Sequence, residues 1–244
     1  MTDMSELTDN KAVVFKLFGL TEKAMSLAQQ KIAEMYGDKV SFNFSVTDGD
    51  VFVQLEFNKS ASAIDIDDIT KTFLLTFKDF IYANENVSLV EMAVTRLKMG
   101  KRLLKTAESF TGGGIANAIV QVPGASEVFY EGLVCYNSEA KSKRLGIPMS
   151  FIKEHGVVSK EVATRMVQCL MSGGNCDVAV ATTGFASATG KKNEPAGLCF
   201  IAVANEAGVM VRKYLFEGDR QAVMRQGANA GLFLLCKALS GFAV

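Results

Sequence analysis

The sequence has a single histidine, His155, among 244 residues. That excludes every site needing two imidazoles, most zinc hydrolases among them. A serine–histidine–carboxylate triad would have to use His155, whose Lys-Glu-His-Gly setting reads as a turn. Charge of one sign is also lacking: 26 Lys and Arg balance 26 Asp and Glu, with no run of like charge beyond a few residues. Neither nucleic acid nor an anionic membrane is therefore expected as a partner. No apolar stretch reaches the roughly 18 residues that a bilayer-spanning helix needs. Met1–Asn10 is polar and acidic, without the basic start, apolar centre or small-residue cleavage pattern of a leader, so the expectation is a cytoplasmic protein. The five cysteines, Cys135, Cys169, Cys176, Cys199 and Cys236, are odd in number and match no metal-ligand spacing. They read as reduced thiols that behave as small core hydrophobes.

What is present is apolar material, 49% of the chain, enough for a substantial core in one large domain or two small ones. Val13–Phe18 reads as a strand, and Thr21–Met35 as a helix with Thr21 as its cap. Val40–Val46 and Val51–Phe57 alternate apolar and polar residues about Asp48-Gly49, the pattern of a hairpin. Ile66–Tyr82 returns to helical spacing, and Ala83–Asn86 is a polar break suited to a linker. The order β-α-β-β-α predicts a small α+β layer.

Beyond the break, strands are expected at Leu103–Ala107, Gly132–Tyr136, Val178–Thr182, Leu198–Ala204 and Val209–Phe216. Helices are expected at about Ser88–Gly100, from Thr111-Gly112-Gly113-Gly114 to Val120, and at Ser138–Leu145, Lys160–Met171 and Gln221–Leu239. Alternating strands and helices predict a three-layer α/β/α sandwich. Only Asn205–Gly208 separates the last two strands, so they form a hairpin and the sheet is mixed.

Four patches could carry chemistry. In Thr106–Gly114 a strand ends, a hydroxyl appears at Ser109, and Gly112-Gly113-Gly114 leads into a helix. Such a turn suits a phosphate or a developing oxyanion. It equally suits a plain helix cap by Ser109 or Thr111 with tight packing of the glycines. In Val134–Lys141 a strand end delivers Tyr136, and Lys141 follows one helical turn on. A lysine with a depressed pKa can serve as the base for a serine; otherwise it is an ordinary surface lysine. Thr182-Thr183-Gly184 opens the Phe185–Ala196 loop after a buried strand, where ligand loops or plain surface connections occur. At Phe216–Arg220, either Arg220 and Arg225 grip a phosphate or Asp219 caps the last helix and Arg220 stays solvated.

Taken in order, these patches resemble the CinA C-terminal family, the nicotinamide mononucleotide deamidases. The resemblance rests on Thr106-Ala107-Glu108-Ser109, Thr111-Gly112-Gly113, Val122–Ser126, Tyr136 with Glu139-Ala140-Lys141, and Leu145-Gly146. It continues through Gly156–Ser159, Thr183-Gly184 and Gly218-Asp219-Arg220, over about Lys98–Ala238. It divides the chain into residues 1–86, similar to the small KH-like segment of full-length CinA proteins, and residues 87–244, the CinA C-terminal domain. The molybdopterin-binding-type domain that usually begins those proteins is not expected here.

The resemblance implies hydrolysis of the carboxamide of nicotinamide mononucleotide to nicotinic acid mononucleotide and ammonia, with neither metal nor cofactor. Ser109 would be the nucleophile, Lys141 its base and Tyr136 a supporting group. Substrate contacts fall to Glu108, Thr111, Gly112, Gly113, Asn137, Thr183, Gly184 and Arg220. A homo-oligomer is expected. RNA is not, because the Gly-x-x-Gly signature of KH domains is missing from the first segment.

The sequence departs from the family at several points. Phe110 stands where a small residue or Cys is usual, and Asn137 and Ser138 are exchanged. Ser187 and Ala188 replace a Gly-Pro pair, and Glu194 replaces a lysine. These departures carry a second reading, a catalytically weakened relative that binds nucleotides or acts as an adaptor.

Overall fold

Asp48 and Gly49 both take positive φ, 47° and 83°. Two such residues between paired strands make the primed turn that matches strand twist. The turn joins β2 (Val40–Thr47) to β3 (Asp50–Phe57), with Thr47 opposite Asp50. The computed structural model describes residues 11–190, 192 and 194–240. The leader reading of Met1–Asn10 lies outside the described residues, as do positions 191 and 193 of the long loop. The chain divides into two compact units, one up to Val87 and one from Ser88.

In the first unit, β1 (Lys11–Phe18) pairs antiparallel with β3, and with β4 (Ile81–Ala83) the sheet order is β2-β3-β1-β4. Val51, Val53, Leu55 and Phe57 alternate along β3 and are buried with Phe15 and Leu17 of β1. Helices α1 (Glu22–Tyr36) and α2 (Ala63–Phe77) contribute Met25, Ile32, Ile69, Phe73 and Phe77 to that core. The rings of Phe15 and Phe73 stack with centroids 4.7 Å apart. Burying a side chain of Phe73's size stabilises the fold by about 1.5–3 kcal/mol. Thr21 caps α1, and Ser62 with Asp65 forms a reciprocal capping box at α2.

The expected helix through Tyr82 stops at Phe77, and Ile81–Ala83 forms β4, antiparallel to β1. Phe80 and Ile81 continue the helical spacing of Phe73 and Phe77, which hides the break, and a three-residue strand is too short to show its own period. Ala83 therefore ends a strand rather than opening a linker. Tyr82 donates to Asp50 at 2.7 Å, and Asp50 also pairs with the nearly buried Lys16 at 2.7 Å. The unit is thus β-α-β-β-α-β, the split βαβ arrangement.

In the second unit, α3 (Leu89–Gly100) precedes β5 (Leu104–Glu108), and α4 (Gly114–Val120) precedes β6 (Phe129–Val134). Then come α5 (Ser138–Leu145), α6 (Met149–His155), α7 (Lys160–Ser172) and β7 (Val178–Gly184). The hairpin β8 (Leu198–Asn205) and β9 (Gly208–Leu215) leads to α8 (Arg220–Leu239). The sheet order is β6-β5-β7-β8-β9; β6, β5 and β7 run parallel, and β8 and β9 alternate in direction. Ala107, Ala179, Ala181, Ala202 and Ala204 form the face that receives α7, small residues that let the helix sit close. On the other face α8 packs on β7 and β8 beside α3 and α4. This is the expected three-layer α/β/α sandwich with a mixed sheet.

Two elements differ from the sequence reading. β6 starts at Phe129 and ends at Val134, so Tyr136 lies in the loop beyond it. It is an edge strand exposed at most positions, which erases the alternation that would have placed it. His155 is the last residue of α6, not part of an isolated turn. Among the described residues no helix is long and apolar enough to cross a membrane.

Candidate active site

Strands β5, β6 and β7 run parallel, so the segments after them emerge on one side of the sheet, where ligand sites gather in open α/β sheets. Ser109 directly follows β5 and is 5% exposed. Helix α4 could have drawn this serine into a capping role, but Glu108 takes that work. The Glu108 carboxylate accepts from the amides of Ile115 at 3.0 Å and Ala116 at 2.8 Å, and from the Thr111 hydroxyl at 2.8 Å. Gly113 occupies the cap position at φ 95°, with no side-chain cap of its own. Ser109 and Thr111 are therefore not the caps of α4.

The partner of Ser109 comes from α5. Asn137 caps this helix, its side-chain oxygen accepting from the amide of Ala140 at 2.7 Å. One turn further, Lys141 is turned fully inward. Its Nζ donates to Ser109 Oγ at 2.8 Å and to the Cys135 carbonyl at 3.0 Å. Burial pulls the Lys141 amine down to about 8, against a smaller opposing pull from Cys135. A lysine held there has a sizeable neutral fraction near neutral pH, which a solvated lysine lacks.

A cavity of about 260 Å³ opens beside this pair. Ser109, Tyr136, Lys141, Thr183, Gly184 and Arg220 all line it, so the structure brings these expected residues together. Tyr136 contributes in two ways. Its carbonyl lies 3.5 Å from Ser109 Oγ, while its exposed hydroxyl accepts from the Arg220 guanidinium. Arg220 also reaches Ser187 Oγ at 3.4 Å. Thr183 donates to the Val157 carbonyl at 2.7 Å.

Other expected contacts sit elsewhere. Glu108 and Thr111 belong to the buried network under α4, and Asn137 is held as a cap; none of the three lines the cavity. Gly112 and Gly113 form the turn itself, and the amide of Gly112 donates to the Ser109 carbonyl at 3.0 Å. Phe110, read as a bulky departure, is accommodated by missing side chains. A Cβ at Gly227 would lie 2.4 Å from its ring and one at Gly184 2.9 Å.

Thr182 and Phe185 fall within the third patch and Val157 and Val158 within the Gly156–Ser159 motif, but sequence reasoning assigns none of the four a role of its own. Thr182 accepts from the amide of Ser109 at 3.3 Å, and the other three line the cavity. The only sequence signal for Thr182 was its place at the end of a buried strand. A larger hollow of about 470 Å³, lined by Arg96, Arg102 and Asn205 among others, lies at the opposite end of the sheet and holds no nucleophile–base pair. Among the described residues no group of three or more His, Cys, Asp or Glu side chains is placed to hold a metal ion.

Comparison with known proteins adds a family. The model described as CinA C-terminal domain matches residues 86–239. A competence-damage inducible protein of Clostridium beijerinckii is 36% identical over 233 residues, covering 93% of this chain and 56% of that protein. A CinA-like protein of Kosmotoga olearia is 31% identical over 232 residues, with 93% and 56% coverage. The chain thus spans about half the length of the relatives it matches. Among solved structures, the competence/damage inducible protein CihA from Agrobacterium tumefaciens aligns with TM-score 0.60 and 29% identity, over 62% of this chain and 93% of its own. A CinA superfamily protein from Escherichia coli aligns with TM-score 0.58 and 27% identity, over 61% and 87%.

Proposed function

We propose, from the premise that the chain belongs to the CinA C-terminal domain family, that it hydrolyses the carboxamide of nicotinamide mononucleotide to nicotinic acid mononucleotide and ammonia. The observation that carries this reading is the 2.8 Å contact between Ser109 Oγ and the buried Lys141 amine, beside an open cavity. A serine needs a base within hydrogen-bond reach whose pKa lies near the working pH. Lys141 meets both requirements without an imidazole.

In this mechanism the neutral amine takes the hydroxyl proton as Ser109 Oγ attacks the carboxamide carbon. Backbone amides of the turn after Ser109 stabilise the oxyanion. The Lys141 ammonium then returns the proton to the amide nitrogen, and the C–N bond breaks to release ammonia. Water enters, gives a proton to the amine and attacks the acyl-serine. The Lys141 ammonium returns that proton to Ser109 Oγ as the acyl bond breaks, and the acid leaves, losing its own proton to solvent as the carboxylate. Arg220 at the mouth suits the substrate phosphate, because its forked donors match phosphate oxygens. In the structure it is held by Tyr136 and Ser187, partners that a phosphate would replace.

The second reading, a nucleotide-binding relative without turnover, took part of its force from Phe110. That residue sits in space left by Gly184 and Gly227, and the Ser109–Lys141 contact is intact beside it. Mass-spectrometric detection of nicotinic acid mononucleotide from purified protein and substrate tests the amidase reading. Binding without product would favour the second.

A further inference from the structure

We propose that Thr182 is a positioning residue for the nucleophile, and that it acts through a buried relay of hydrogen bonds whose direction is set by Glu108. The inference rests on the reading of Ser109 as nucleophile and adds what holds that serine in place.

The relay has one possible proton order. Glu108 is 1% exposed, and its Oε2 accepts the hydroxyl of Thr111 at 2.8 Å. A hydroxyl has a single proton to give. Thr111 has therefore spent its own, and in its 2.8 Å contact with Thr182 it can only accept. Thr182 must be the donor there, which turns the lone pairs of its oxygen toward the remaining neighbour. That neighbour is the amide of Ser109, which donates to Thr182 Oγ1 at 3.3 Å. Thr182 and Thr111 are themselves 0% and 3% exposed, so water does not compete for these bonds.

The consequence falls on the serine. Ser109 lies just beyond the last residue of β5, where the strand ladder no longer fixes its backbone. The bond to Thr182 ties its amide to β7, the neighbouring strand. On the other side Lys141 holds its Oγ. Backbone and side chain are thus pinned from two different elements, and the hydroxyl is presented at fixed reach from the amine. The same bond commits the Ser109 amide, so in this arrangement the oxyanion must be served by amides further along the turn. Glu108 belongs to the relay as its fixed acceptor, which gives the carboxylate a purpose beyond capping α4.

The test uses the whole chain and a fluorophosphonate probe, which reports serine nucleophilicity without requiring the proposed substrate. Thr182→Val keeps the shape and removes the hydroxyl; Thr182→Ser keeps the hydroxyl. Thr111→Val breaks the relay one step further out and serves if Thr182→Val does not fold. Labelling of Ser109 per folded molecule is expected to fall by roughly tenfold or more in the valine variants, since a displacement of about 1 Å can cost about 10²-fold. Thr182→Ser is expected to recover most of the rate, and the pH midpoint of labelling is expected to stay where Lys141 sets it. Labelling of the valine variants at the wild-type rate would overturn the positioning role while leaving the nucleophile reading intact. No labelling of Ser109 in the wild type would overturn both.

Discussion

A methyl group on Gly227 would lie 2.4 Å from Cζ of Phe110. The glycine is on α8 and the phenylalanine directly follows Ser109, so the helix leaves a hollow that the ring fills. A side chain there must push on the residue next to Ser109. Gly227→Ala is therefore expected to destabilise the fold by about 1–3 kcal/mol, the usual cost of overpacking. Phe110→Leu in the same chain should recover part of the loss, because the two positions share one space. Thermal unfolding of the single and double variants checks this; additive losses would count against it.

As the proposed base of Ser109, Lys141 calls for a particular pH–rate profile. Its amine must be neutral to accept the serine proton, and burial places it at about 8. The value of kcat/KM should rise about tenfold per pH unit below that point and level off above it. A profile flat from pH 6 to 9, or falling with pH, would remove the lysine from the role of base.

The same group leaves a mark on stability. An unfolded lysine titrates at 10.5 and the folded one at about 8. Between those values the unfolded chain holds a proton that the native state lacks, so stability rises with pH across that window and is lost again as pH falls through it. The wild type relative to Lys141→Met should gain on the order of 3 kcal/mol over the window. Buried thiols such as Cys199 and Cys236, pushed up to about 12, act in the opposite direction but cancel in this difference. Denaturant melts of both proteins at pH 7.5 and 10.5 make the comparison.

Arg220 offers a separate handle on recognition. If it meets the phosphate, Arg220→Ala should raise KM for nicotinamide mononucleotide by roughly 10- to 100-fold, the equivalent of about 1.5–3 kcal/mol for a charged hydrogen bond. Turnover of the dephosphorylated riboside, which has no group for Arg220 to hold, should change little. Equal losses on both substrates would instead make Arg220 a brace for Tyr136.

Much of this was readable from the chain because the informative residues were local. Asp48-Gly49 announced its hairpin and Thr21 the helix it caps, while the cap at Asp219 was one of two readings of its turn. Ser109 and Lys141 could be named from their motifs, but not their 2.8 Å separation, which depends on β5 and β6 lying side by side. What stayed hidden was long-range or too short to have a period. Strand β4 has three residues and borrows the spacing of the helix before it. The resemblance made Glu108 a substrate contact, and the amides that donate to it, those of Ile115 and Ala116, lie beyond a glycine turn that must first fold back. Thr182 reaches Ser109 across 73 positions of sequence, and although each sits in a patch of its own, nothing local joins the two.

In the proposed reaction the oxygen of Ser109, deprotonated by Lys141, attacks an amide. The most direct measurement is the formation of nicotinic acid mononucleotide from nicotinamide mononucleotide, followed by mass spectrometry for the wild type, Ser109→Ala and Lys141→Met. Steady product is expected from the wild type and a loss of at least about 10³-fold in each variant, in line with removal of a nucleophile or its base. Undiminished product from Ser109→Ala, with its fold intact, would contradict it.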